Sequence, residues 1–185
     1  VRHRVNDDRA ERKSIKSTSA GRVELTEKGR LMAKIPLDPR LSRMLLEAAD
    51  QNCIDQIALI AAVLSIQDPR ERPLEAQSQA DEAHQRFVDE KSDFMTLLQL
   101  WRYLRERRKS VSGNQFRKLC RREFLNWQRV LEWFDLYQQL RDQAREQRRP
   151  LTGAHGSEEQ VHMSLLAGLL SHCGRKHPED RSFTG

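Results

Sequence analysis

The sequence predicts an all-α fold, a helical bundle of about six or seven helices, and three observations predict it. Apolar residues recur at helical spacing along most of the chain, as in Leu41, Met44, Leu45 and Ala48. Residues able to cap a helix stand just ahead of these patterns, at Thr26, Asp38, Ser92 and Ser157. No segment alternates with period two long enough to build a sheet, beyond a possible short strand near Val23.

Taken in order, residues 1 to about 23 are polar and aperiodic, and disorder or an exposed loop is expected there. Thr26 caps a short helix through Ile35, with Leu31, Met32 and Ile35 on one side. Asp38-Pro39 repeats the start signal, an acid followed by proline at the first helical position, and a helix runs to about Gln51. Asn52-Cys53 breaks it. The next helix, 54 to 66, is apolar nearly all round and is expected to be buried. It stops abruptly at Asp68-Pro69-Arg70-Glu71-Arg72-Pro73, where two prolines make a rigid, charged hinge. A polar helix follows to about Val88, with Ala76, Ala80, Ala83 and Phe87 as its thin inner stripe.

Ser92 caps a helix carrying Phe94, Leu97, Leu98, Trp101 and Leu104. Its end, Arg105, Arg107, Arg108 and Lys109, complements the negative end of the helix dipole without any ligand. After the turn at Ser112-Gly113-Asn114 the helical pattern runs from Gln115 to about Gln147, with a bend near residues 122–124. Its aromatic stripe, including Phe116, Trp127, Trp133 and Tyr137, reads as core rather than as a base-stacking platform. Pro150 to Gly156 is a connector. Ser157 then caps a helix whose Val161, Met163, Leu165, Leu166, Leu169 and Leu170 finish the bundle, and Gly174 stops it.

The net charge of +6 is unevenly spread. Residues 35–90 hold five Lys/Arg against eleven Asp/Glu, whereas 91–149 hold fifteen against seven. The second stretch is therefore the one suited to polyanions. Cys53, Cys120 and Cys173 lie far apart without a C-x-x-C pair; they read as small buried hydrophobes, not as a disulfide framework or a zinc site. No G-x-x-x-x-G-K-[ST] loop occurs to cradle a triphosphate and no nucleophile elbow is present, so no catalytic residue, metal ligand or cofactor is assigned within the chain. No apolar run approaches the length of a membrane span. The chain starts at Val1 without an initiator methionine, and the expectation is an internal, cytosolic piece of a longer protein.

Longer motifs are more specific than the spacing. Leu64-Ser65-Ile66-Gln67-Asp68-Pro69-Arg70-Glu71-Arg72-Pro73, then Ala80-Asp81-Glu82-Ala83-His84, Phe87 and Ser92-Asp93-Phe94, resemble the helicase-associated region of bacterial DEAH-box RNA helicases of the HrpA type. Upstream, Leu25-Thr26-Glu27-Lys28-Gly29-Arg30 and Pro36-Leu37-Asp38-Pro39-Arg40-Leu41 resemble the end of that family's winged helix. Downstream, Phe116-Arg117-Lys118-Leu119-Cys120 and Phe124-Leu125-Asn126 resemble its ratchet-like domain.

The resemblance implies a partial winged-helix remnant within residues 1–35, a ratchet-like helical domain at 36–172, and the lead-in to an absent OB-fold at 173–185. It further implies a parent that hydrolyses ATP with Mg, and a cytoplasmic location. Its partners would be single-stranded RNA and the ATPase lobes and OB-fold of the same parent chain, with no membrane involved. Carried onto this sequence, Arg117, Arg121, Arg122, Asn126 and Arg129 are the candidates for RNA contact. The alternative for these arginines is pairing with Glu123, Glu132 or Asp135 along the same helix. Asp68, Arg70, Glu71 and Arg72 are the candidates for docking against the ATPase lobes, and Arg70 and Arg72 are expected partly exposed and without partners in this chain. The alternative function is a protein-docking or scaffold module that touches no nucleic acid, which the acidic excess of 35–90 would suit.

Overall fold

A computed structural model describes residues 24–146, 155–176 and 183–184, with side chains described through residue 143 and from 155 to 174. The chain divides between Pro36 and Leu37 into two units. In the first, Thr26 accepts a hydrogen bond from the Gly29 amide and opens α1, Glu27–Met32, one turn shorter than the pattern predicts and with no buried residue.

The second unit is a bundle of helices. Asp38 accepts from the Arg40 amide and Pro39 takes the first position of α2, Pro39–Asp50, as the start signal predicts. Asn52, at φ 57°, turns the chain into α3, Ile54–Leu64. A 3-10 turn at Leu74–Ala76 precedes α4, Gln77–Gln85. Ser92 caps α5, Asp93–Ser110. Ser112 and Gln115 form a capping box that opens α6, Gly113–Arg122, and Ser157 and Gln160 form another that opens α8, Glu158–Leu169. Between α6 and α8 lies α7, Trp127–Glu146.

The expected bend near residues 122–124 is a complete break. Phe124 adopts φ 52°, a left-handed conformation that ends α6, and Asn126 restarts the chain by accepting hydrogen bonds from the Gln128 and Arg129 amides. Eight α-helices are therefore present among the described residues. Two-residue strands β1, Arg175–Lys176, and β2, Phe183–Thr184, pair antiparallel beyond them, with Arg175 opposite Thr184.

The core is organised on α3, which packs against α2, α5, α7 and α8. Ile57, Ile60, Ala61 and Ala62 are fully buried, as an all-round apolar helix requires. The two polar side chains that α3 buries are satisfied: Gln56 exchanges two hydrogen bonds with the Gly156 backbone, and Asp55 accepts from the Tyr137 hydroxyl. Helices α2 and α8 approach so closely that a Cβ on Gly168 would lie 2.3 Å from the Arg40 carbonyl oxygen. Trp133 is fully buried, donates its indole N–H to the Leu59 carbonyl at 2.9 Å, and packs tilted against Trp101 with ring centres 4.9 Å apart. Phe116 and Trp133 of the aromatic stripe thus belong to the core, whereas Trp127 and Tyr137 are half-buried at its edge.

Two expectations need correction. Cys53 and Cys120 are buried, and burial pushes the Cys120 thiol up to about 11, but Cys173 is exposed because it follows the end of α8. Of the apolar residues expected to finish the bundle, Val161 and Leu165 are buried while Met163 and Leu166 of α8, and Leu170 just beyond it, are exposed, since only one face of that helix meets α2 and α3. Among the described residues no helix is long and apolar enough to cross a membrane.

Candidate nucleic-acid and docking surface

The hinge is held in shape by its own charges. Asp68 accepts from the Arg70 amide at 2.8 Å, and its carboxylate grips the Arg70 guanidinium through Nη2 at 2.7 Å and Nε at 3.1 Å. Arg72 makes a similar two-pronged pair with Asp81 of α4, at 2.6 and 2.7 Å. Arg70 and Arg72 are partly exposed, with side chains 31% and 61% accessible, but they have not lost their partners. The correction has a simple cause: an acid two residues before Arg70, and another on the neighbouring helix, are within reach of these long side chains.

The hinge is also stitched to the break between α6 and α7. Arg70 and Leu125 form an antiparallel bridge: the Glu71 amide donates to the Phe124 carbonyl at 2.8 Å, and the Asn126 amide donates to the Pro69 carbonyl at 2.7 Å. Side chains extend the clamp. Asn126 Nδ2 donates to Glu71 Oε1 at 2.8 Å, and Arg129 Nη1 donates to the Asp68 carbonyl at 3.1 Å. Pro69 is buried beneath it. Two of the five candidate RNA contacts, Asn126 and Arg129, therefore each give the hinge one side-chain hydrogen bond.

The other three are presented outward. Arg117 and Arg121 lie on exposed positions of α6, with Arg117 resting 5.2 Å over the Trp127 ring. Arg122 is 74% exposed and donates to Glu123 Oε1 at 3.2 Å. Of the alternative acidic partners, Glu123 is used; Glu132 and Asp135 form no ion pair with these arginines among the described residues.

Glu123 is the residue whose importance the spacing hid. Its buried carboxylate also binds the Arg86 guanidinium and accepts from the Tyr103 hydroxyl at 3.3 Å, while a His84 ring nitrogen lies 3.0 Å from its carbonyl oxygen. It thereby ties the end of α4 and the middle of α5 to the break. The signal in the sequence was an acid inside Arg121-Arg122-Glu123-Phe124; its partners lie 20 and 37 residues away and share no periodicity with it.

Acid should loosen the clamp. Burial alone would raise the Asp68 carboxyl, but hydrogen bonds from the Arg70 side chain and amide outweigh it and hold the group below its ordinary value. A depressed folded pKa contributes stability that is complete above the unfolded value of about 3.9 and lost as pH falls through the folded one. Amide exchange at Glu71 and Asn126 should therefore accelerate below about pH 4 before that of buried α3 amides such as Ile60. Equal acceleration in both would remove Asp68 from the clamp's energetics.

Residues 38–97 match the helicase-associated domain (HA2), ratchet-like. Over 172 residues, 93% of this chain, the sequence is 45% identical to an ATP-dependent RNA helicase HrpA homolog of Haemophilus influenzae. It is 45% identical over 166 residues, 90% of the chain, to the ATP-dependent RNA helicase HrpA of Escherichia coli. The human ATP-dependent RNA helicase DHX33 is 26% identical over 157 residues, 85% of the chain and 21% of that protein. The chain spans 13% of the length of each of the two bacterial relatives.

Proposed function

The chain carries the ratchet-like, helicase-associated region of the bacterial HrpA-type DEAH-box RNA helicase family, and from this premise we propose that it couples ATPase-lobe movement to a strand of RNA. Arg117, Arg121 and Arg122 of α6 neutralise phosphates along one wall of a single-stranded RNA channel, which the OB-fold of the same parent closes. Asp68, Arg70, Glu71 and Arg72 dock against the ATPase lobes. Asn126 and Arg129 serve both surfaces by locking the hinge onto the base of α6. The parent supplies ATP and Mg, works in the cytoplasm, and divides over this chain into a winged-helix remnant at 1–35, the ratchet-like domain at 36–172 and an OB-fold lead-in at 173–185.

One observation carries this reading: the bridge between Arg70 and Leu125 joins the docking hinge to the loop that ends the basic helix, so a push on one is felt by the other. The test is Arg70→Ala with Arg72→Ala. The Arg72–Asp81 pair is exposed and the Arg70–Asp68 pair partly so, and the expected loss of stability is within about 1 kcal/mol. RNA affinity of the chain should be unchanged, while RNA-stimulated ATP turnover of the complete parent should fall. Loss of RNA binding by the chain itself would make the hinge an RNA contact and overturn the assignment. The second reading, a docking module without nucleic acid, draws on the acidic excess of residues 35–90; it predicts no salt-dependent RNA binding at all.

A further inference from the structure

The cations proposed so far lie on α6 and α7. A second group is gathered by tertiary structure alone around the Tyr103 ring. Arg86, at the end of α4, lies 4.5 Å from the centre of that ring, and Arg107, one turn further along α5, lies 5.2 Å from it. The hydroxyl of the same tyrosine donates to Glu123, which also binds Arg86 and Arg122. Two guanidiniums thus bind one carboxylate, and a third lies over the ring whose hydroxyl donates to it. Glu123 pairs with two of them, and Arg107 makes no ion pair among the described residues.

Such a group holds more positive charge than it neutralises, and its arginines are already positioned. Arg86 is fixed by two aromatic faces, Phe87 at 4.5 Å and Tyr103, as well as by Glu123. Arg107 rests on Tyr103 with its guanidinium hydrogen-bonding edges uncommitted, and Arg122 is mostly exposed. An incoming anion would therefore immobilise little that is not already ordered. Guanidinium forks match the oxygens of a phosphate, and stacking on a ring leaves those edges free.

We propose that Arg86, Arg107 and Arg122, arranged around Tyr103 and Glu123, form a seat for one backbone phosphate of single-stranded RNA. The inference deepens the reading that this chain contacts RNA, and rests on it. It extends the contact from α6 across to the outer face of α5. Glu123 acts as the positioning residue, holding two of the forks in place from beneath. The dipole-complementing role of Arg107 and Arg108 at the end of α5 does not require a guanidinium over Tyr103, and a lysine there would serve the dipole equally.

Arg107 is the clean probe, because among the described residues its side chain makes no hydrogen bond or ion pair. Binding of a labelled oligouridine to the chain should be followed as a function of salt. Arg107→Ala is expected to weaken it by about threefold or more and to flatten the log–log salt slope by part of the about 0.7 that one phosphate contact carries, with thermal melting little changed. Arg107→Lys should restore the slope but only part of the affinity, since the point charge survives and the stacked fork does not. If Arg107→Ala leaves affinity and slope unchanged while Arg121→Ala lowers both, the seat is not used and the α6 reading stands. Weaker binding at an unaltered slope would also overturn the seat, by showing a packing effect. If the unsubstituted chain does not bind the oligouridine, the RNA reading fails and this inference with it.

Discussion

Trp133→Ala is expected to destabilise the bundle by about 3–5 kcal/mol, the range for emptying a fully buried large aromatic site. Several contacts are lost together. The indole is fully buried, packs tilted against Trp101 with ring centres 4.9 Å apart, and ties α7 to α3 through the Leu59 carbonyl. Trp101 in turn lies 4.4 Å from Phe134 and 5.0 Å from Tyr137, so the void opens within a packed aromatic cluster that has limited freedom to collapse. Against a total of about 5–15 kcal/mol for an ordinary domain, this is a large fraction. Urea unfolding should show a lower midpoint at an unchanged slope. A loss under about 1 kcal/mol would mean that α7 and α3 are held together elsewhere.

The second large effect concerns RNA. Replacing Arg117, Arg121 and Arg122 together by Ala should flatten the salt dependence of single-strand binding by about 2, at roughly 0.7 per phosphate contact, and cost tenfold or more in affinity at low salt. Stability should change far less, because the three side chains are exposed and, among the described residues, only Arg122 has an acidic partner, one that Arg86 continues to hold. An unchanged slope would place the phosphate track away from α6.

Helix starts were legible because a cap is a local device. Asp38-Pro39, Ser92 and Ser157 each open a helix where the residue type and the following apolar pattern require it. Burial on α3 was legible for the same reason, since an all-round apolar helix has nowhere else to go. The α6–α7 break was visible only as a bend. Phe124 is not a residue that announces a left-handed turn, and what holds it there is a backbone bridge to Arg70, far away in sequence. The exposed face of α8 was misread because a run of Met and Leu does not say which of them meets a neighbour. At the candidate site, the basic character of α6 could be read from the sequence. The clamp made by Asn126 and Arg129 could not, nor could the gathering of Arg86, Tyr103 and Arg122 on Glu123 with Arg107 over the Tyr103 ring. Each depends on side chains reaching across elements whose mutual placement no local pattern encodes.

On the function proposed above, the hinge and the basic helix act as one mechanical unit through the clamp. This is tested most directly by Asn126→Ala with Arg129→Ala in a complete HrpA-type helicase, measuring RNA affinity and RNA-stimulated ATP turnover on the same preparation. The account predicts affinity within about threefold of the unsubstituted protein and turnover reduced by about tenfold or more, because contact with RNA survives while its coupling to the hinge does not. The opposite pattern, normal stimulation per bound RNA with affinity lost, would make these two residues direct RNA contacts and contradict the clamp.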